Sequence, residues 1–190
     1  MVVRQPGYSK EKFAQRGDLI YETQIRPLVE AGNRGKIVAI DIETGAFEVD
    51  ASEIGVGYGG LCRIIDSYFK QVKSYCLVDL APVLKLAQKY LNHFQITTAL
   101  SYQTSDALNP EQKYDLVISN YAFTELRREI QYIYLEKVIL NSCKGYITYN
   151  YIDLKDFNFY SIDELIEIIP NLKVYKEIES THPEDRILVW

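Results

Sequence analysis

The residues best suited to chemistry in this 190-residue chain form the run Glu53-Ile54-Gly55-Val56-Gly57-Tyr58-Gly59-Gly60. Ser52 to Val56 reads as a short strand. Leu61, Ile64, Ile65 and Tyr68 then recur at helical spacing. Glycines at such a strand-to-helix turn, here Gly55, Gly57 and Gly59, let the backbone approach a ligand, and the helix start offers unpaired N–H groups. The same glycines would also serve a tight turn with no ligand. The second signal is Asp79, which closes the next apolar run, Ser74 to Leu80. Its distance from the glycines is that of a strand–helix–strand unit, and a carboxylate there can accept both hydroxyls of a ribose, with Leu80 at the same edge. Asp106, in Thr104-Ser105-Asp106-Ala107-Leu108, can accept a hydrogen bond from an adenine amino group, with Ala107 beside it; a solvated loop carboxylate is the plainer reading. Asn120, Tyr121 and Glu125 lie in the segment Ser119 to Glu125, just past the fourth sheet strand, and could position reacting groups. Phe123 in that segment reads as core.

These residues need a frame. The pattern predicts strands at Ser52–Val56, Ser74–Leu80, Gln95–Leu100, Tyr114–Ser119, Gly145–Ile152, Leu172–Glu179 and Arg186–Trp190. It predicts helices at Leu61–Lys70, Val83–Phe94 after Pro82, and Phe123–Leu140. A further helix runs from Ser161 to Ile169, where Ser161 and Glu164 have capping-box spacing. Strands alternating with helices give an α/β doubly wound, mostly parallel sheet. The last two strands have no helix between them, so the final one must be antiparallel. Ahead of this, Ser9 to Ala31 reads as a helix kinked at Pro27, and Lys36–Ile42 with Ala46–Val49 as a hairpin. The chain therefore divides into an extension, residues 1–51, and a larger domain, residues 52–190.

The formal net charge of −5 argues against a broad nucleic-acid footprint, which needs clustered cations. No apolar run is long enough for a membrane span, and the first residues lack a secretory h-region. Cys62, Cys76 and Cys143 are three in number and far apart, so they predict neither a disulfide framework nor a zinc site. Free thiols of this kind fit the cytoplasm. The tyrosines mostly fall at strand or helix spacing and read as packing. An edge hairpin in the extension would allow a homodimer.

The runs EIGVGYGGLCRII, YCLVDLAPVLKLAQKYL and YDLVISNYAFTELRREIQYIYLEKVI, with the closing THPEDRILVW, resemble the bacterial sugar O-methyltransferase family. That family belongs to the class I S-adenosylmethionine (SAM) dependent methyltransferases. The resemblance covers about residues 53–190. It implies a Rossmann-like sheet of order 3-2-1-4-5-7-6, SAM held at Glu53, Gly55, Gly57, Asp79 and Asp106, and methyl transfer to a hydroxyl of a small molecule, a sugar by the family's description. A hydroxyl is a poor nucleophile while protonated, so a general base helps. His182, in the loop before the last strand, and Asp153, just after the fifth, are at the ligand end of such a sheet. Asp156 is a further rival. His93 falls at the opposite end. No clustered ligand spacing supports a metal.

Family members carry a long helical region before the glycine strand. Residues 1–52 instead resemble small uncharacterised cyanobacterial proteins, and the chain reads as two pieces joined near Ala51. This leaves room for a rival, a non-catalytic binding module of the same fold with a truncated acceptor site. Two others are weaker. Asp41 and Glu43 look like the first motif of a metal-dependent exonuclease, but four carboxylates are needed and the methyltransferase pattern accounts for the rest of the chain. A nicotinamide-dependent oxidoreductase would also use a glycine turn and an acidic residue, but the SNYAF segment and the antiparallel last strand favour SAM.

Overall fold

A computed structural model describes residues 49–151, 158–177 and 182–190. The expected N-terminal helix and hairpin up to residue 48, and Asp153 and Asp156, lie outside the described residues. Val49–Trp190 is a compact unit of its own.

Its strands are β1 (Val49–Ile54), β2 (Val72–Val78), β3 (Ala99–Gln103), β4 (Tyr114–Asn120), β5 (Ser142–Tyr149), β6 (Lys173–Lys176) and β7 (Arg186–Val189). They form one sheet of order β3-β2-β1-β4-β5-β7-β6, as expected. β1 pairs in parallel with both β2 and β4, and β7 runs antiparallel to β5 and β6. The helices are α1 (Gly60–Tyr68), α2 (Ala81–Leu91), α3 (Arg128–Tyr134) and α4 (Ile162–Ile168).

Alternation along the strands splits the core in two, because successive side chains point to opposite faces. Ile54, Val78, Val117, Ile147 and Leu188 pack on one face with Phe123, Leu135, Ile139 and Leu165. Ala51, Tyr75 and Leu77 pack on the other with Cys62, Ile65, Leu84, Ala87 and Leu91. With both faces covered, β1 buries four consecutive residues from Ala51 to Ile54, the run expected of a central parallel strand.

Several boundaries differ from the pattern, three of them with a visible set of contacts. β1 begins at Val49, which the sequence assigned to the hairpin; Val49 pairs with Val72 and donates its N–H to the Gln71 carbonyl at 3.0 Å. β3 begins at Ala99 rather than Gln95, because Thr97 and Thr98 turn inward to Asp66. The single helix expected from Phe123 to Leu140 is broken. Phe123–Glu125 is a 3₁₀ turn, Leu126 and Arg127 are extended, and α3 then widens into a π-helical turn over Leu135–Ile139. Buried Gln131 bridges the break, donating Nε2–H to the Phe123 carbonyl at 3.0 Å and accepting the Tyr160 N–H at 2.8 Å. Sequence periodicity could not register a break whose cause is a distant backbone amide.

The Ser161–Glu164 capping box forms as expected. Glu164 also meets Arg128 at 2.6 Å, and this guanidinium, with the cap, holds its carboxyl down at about 2.

Candidate functional site

The glycine turn sits at the carboxyl end of β1. Gly55, Gly57 and Gly59 all have positive φ, at 81°, 53° and 85°. They meet different needs. A Cβ on Gly55 would lie 2.0 Å from the Ala122 Cβ, so glycine here lets the turn pack against the chain leaving β4. A Cβ on Gly59 would lie 3.0 Å from Leu91 Cδ1, so this glycine seats α1 on α2. A Cβ on Gly57 would meet nothing within 4 Å, so the space above this residue is open.

Asp79 follows β2 and turns toward that space. Its Oδ1 accepts the Leu80 N–H at 2.7 Å, and its Oδ2 has only a long 3.4 Å contact with the Gly57 N–H. A carboxylate so placed keeps lone pairs for incoming hydroxyls. Leu80 is exposed on the same edge. The Asp79 N–H donates to the Gln103 carbonyl at 3.3 Å, tying the ends of β2 and β3. The Gln103 Oε1 is buried without a partner among the described residues. Asp106 is exposed in the turn after β3, where the Ala107 N–H donates to the Thr104 carbonyl at 3.0 Å. A hydrogen bond from the Thr104 side chain lowers its carboxyl below the usual value.

Glu53 lies beneath the turn, only 4% exposed, and accepts a hydrogen bond from Tyr75 Oη at 2.9 Å. Burial pushes its carboxyl up to about 8; the Tyr75 bond opposes this and the Asp79 charge adds to it. The group is thus mostly neutral at pH 7. The raised pKa has a consequence for stability. Between about 4.5 and 8 the folded chain holds this proton and the unfolded chain does not, so stability falls as pH rises, by at most about 1.4 kcal/mol per pH unit. We expect Glu53→Gln to flatten urea-midpoint profiles between pH 5 and 8. An unchanged slope would show that Glu53 is ionised in the fold.

The ends of β1 and β4 are pinned by Ser119, which the sequence did not mark. Its Oγ donates to the Ile54 carbonyl and accepts the Phe123 N–H, both at 3.1 Å. Asn120 ends β4 and accepts from Thr148 Oγ1 at 3.3 Å. Tyr121 follows with φ 62°, a left-handed conformation that costs a bulky residue roughly 1–2 kcal/mol. Its backbone is held there by its N–H on the Thr148 carbonyl (3.2 Å) and by Thr124 Oγ1 donating to its carbonyl (3.1 Å). Thr124 Oγ1 also contacts Asn150 Oδ1, and Asn150 Nδ2 donates to Glu125 at 3.1 Å.

The Tyr121 side chain reaches the far strands, where Oη donates to Glu177 Oε1 at 2.6 Å. Glu177 follows β6; in the sequence it looked like one more strand residue. The hydrogen bond to Glu177, with burial, raises the Tyr121 phenol to about 12. His182 lies in the loop between β6 and β7, stacked on the Tyr151 ring at 4.6 Å. Its Nδ1 accepts the Glu184 N–H at 3.2 Å. Buried Asp185 shapes this loop, accepting the backbone N–H groups of Tyr151 and His182, both at 2.8 Å.

The carboxyl ends of the strands thus carry two groups. Glu53, Gly55, Gly57, Asp79 and Leu80 gather around the glycine turn. Tyr121, Glu125, Asn150, Glu177, Tyr151 and His182 gather over β4 to β7. Among the described residues no set of three or more His, Cys, Asp or Glu is placed to hold a metal ion, and no helix is long and apolar enough to cross a membrane.

No family model matches the chain, and no curated protein matches it by sequence. Solved structures match it by fold. LepI in complex with S-adenosylhomocysteine (SAH) and a substrate analogue aligns with a TM-score of 0.55 at 15% identity, over 80% of this chain and 44% of LepI. The mitomycin 7-O-methyltransferase MmcR aligns at 0.55 and 14%, over 94% of this chain and 53% of MmcR. The methyltransferase domain of a bacterial Hen1, CtHen1, aligns at 0.53 and 11%, over 74% of this chain and 88% of that domain. The chain spans about half the length of LepI and MmcR. At these identities the likeness defines the fold: a Rossmann-like α/β sheet of the class I methyltransferase type.

Proposed function

We propose that residues 49–190 bind SAM at the glycine turn and transfer its methyl group to a hydroxyl of a small molecule, a sugar being the favoured class. One observation carries this reading: Asp79 turns a sparsely bonded carboxylate oxygen toward the open space over Gly57, at the carboxyl ends of β1 and β2. Ligands bind at this point in such sheets. The residues fit the cofactor. Asp79 would hold the ribose hydroxyls, Asp106 with Ala107 the adenine amino group, and Asn120 the edge facing the acceptor. Glu53 supports the turn from below without adding a full charge. SAM, when bound, supplies a methyl carbon activated by a sulfonium.

Tyr121 and Glu125 would orient the acceptor. The ring of Tyr151, 45% exposed and stacked on His182, offers the flat apolar face against which a pyranose packs. Because His182 Nδ1 is an acceptor here, the proton of the neutral ring belongs on Nε2, which makes His182 a donor toward the acceptor rather than a base. Asp153, the other candidate base, lies outside the described residues. Cys62, Cys76 and Cys143 are free thiols, which suits a cytoplasmic enzyme.

The test is transfer of label from methyl-labelled SAM to catechol, methyl glucoside and a nucleotide sugar. Label in one of them, lost in Asp79→Ala, is expected. SAH binding with no label in any acceptor would favour a non-catalytic binding module instead.

A further inference from the structure

We propose that Tyr121 and Glu177 form a proton relay that takes the proton from the acceptor hydroxyl during transfer. The inference rests on the functional reading above. Three features support it. Tyr121 stands at the reversal of the strand order in a left-handed conformation, and strained backbone of this kind is concentrated at functional positions. Its Oη is committed as a donor to Glu177 Oε1 at 2.6 Å, which leaves the phenol oxygen's lone pairs to accept a second hydrogen bond. Glu177 Oε2 is buried and has no hydrogen-bond partner among the described residues, so no donor competes for its lone pairs.

The step balances. The acceptor oxygen forms a bond to the methyl carbon as the carbon–sulfur bond breaks, and the electron pair of that bond stays on sulfur as a thioether. The acceptor's proton passes to Tyr121 Oη, and the Tyr121 proton passes to Glu177 Oε1. The sulfonium charge and the carboxylate charge disappear together. Tyr121 is the catalytic residue, because it touches the acceptor; Glu177 acts through it. Glu177 after β6, Tyr146 on β5 and Asp185 before β7 face the phenol, and each raises its pKa to keep it protonated and able to donate.

The pair is tested first without cofactor. In protein carrying ¹³Cζ-tyrosine, the resonance lost in Tyr121→Phe is expected to titrate near 12 in the wild type and clearly lower in Glu177→Gln, with burial still holding it above the ordinary tyrosine value. Titration near 10 in the wild type would overturn the coupling. Next come SAH calorimetry and labelled-methyl transfer to the three acceptors. Each variant is expected to bind SAH within about twofold of wild type and to lose kcat by about 100-fold or more at little-changed KM. The double variant should be no worse than the worse single. Wild-type kcat in either variant would overturn the relay with the functional reading intact. No transfer by the wild type would overturn both.

Discussion

Asp66→Ala is expected to lower unfolding free energy by about 2–3 kcal/mol, because it removes a charged acceptor and strands the buried Thr98 N–H, where a lost partner costs roughly 1–3 kcal/mol. Asp66 is on α1, only 3% exposed, yet it is charged. Its Oδ1 accepts from the N–H and the hydroxyl of both Thr97 and Thr98, each at 2.9 Å. Burial alone would raise its pKa, but the Thr98 and Thr97 donors outweigh it and the carboxyl is lowered. A lowered pKa makes this contribution full above the unfolded value and lost as pH falls through the folded one. Denaturation of Asp66→Ala and Asp66→Asn at pH 7 and pH 3 checks this. Asparagine, which keeps an acceptor oxygen, should lose less at pH 7, and both variants should show a weaker acid dependence than wild type. A variant as stable as wild type at pH 7 would remove Asp66 as the joint between α1 and the entry to β3.

Gly55→Ala is expected to damage both fold and site. The left-handed φ costs roughly 1–2 kcal/mol for a side chain. The new Cβ would also sit 2.0 Å from the Ala122 Cβ, so the turn or the Tyr121–Ala122 segment must move. Overpacking of this kind adds about 1–3 kcal/mol. Gly57→Ala is the control, with the same sign of φ and open space around it. We expect Gly55→Ala to lose stability and SAH affinity together, and Gly57→Ala to stay folded but bind at least tenfold more weakly, because its methyl group fills ligand space. Equal stabilities would show that the contact with Ala122 yields without cost.

Local signals carried the frame far. The strand–helix alternation and the missing helix before β7 predicted a mostly parallel sheet with an antiparallel last strand, because each acts within one supersecondary unit; the strand order came from the family resemblance. Elements set by distant partners were not legible. The Phe123–Leu140 pattern has helical periodicity, yet the break at Leu126 depends on Gln131 reaching Tyr160. β3 starts late because of a carboxylate on α1. In the site, Gly55, Gly57 and Gly59 looked alike, but Gly55 makes room for Ala122, Gly59 makes room for Leu91, and Gly57 faces open space. Glu53 was marked as a ligand contact, and its burial under the turn beside Tyr75 had no signal in the sequence. Glu177 gave no signal, since it meets Tyr121 only once β6 lies beyond β7. His182 was marked as a base by its loop position, but the Glu184 N–H that occupies its Nδ1 is a backbone feature no spacing reports.

The most direct test of the cofactor site is a calorimetric titration of the full chain with SAH, alongside Asp79→Ala. A dissociation constant on the order of micromolar, about −8 kcal/mol, is expected, weakened at least tenfold in the variant. No binding by the folded wild-type chain would contradict it, and residues 49–190 would then be a methyltransferase fold serving as a structural or interaction module.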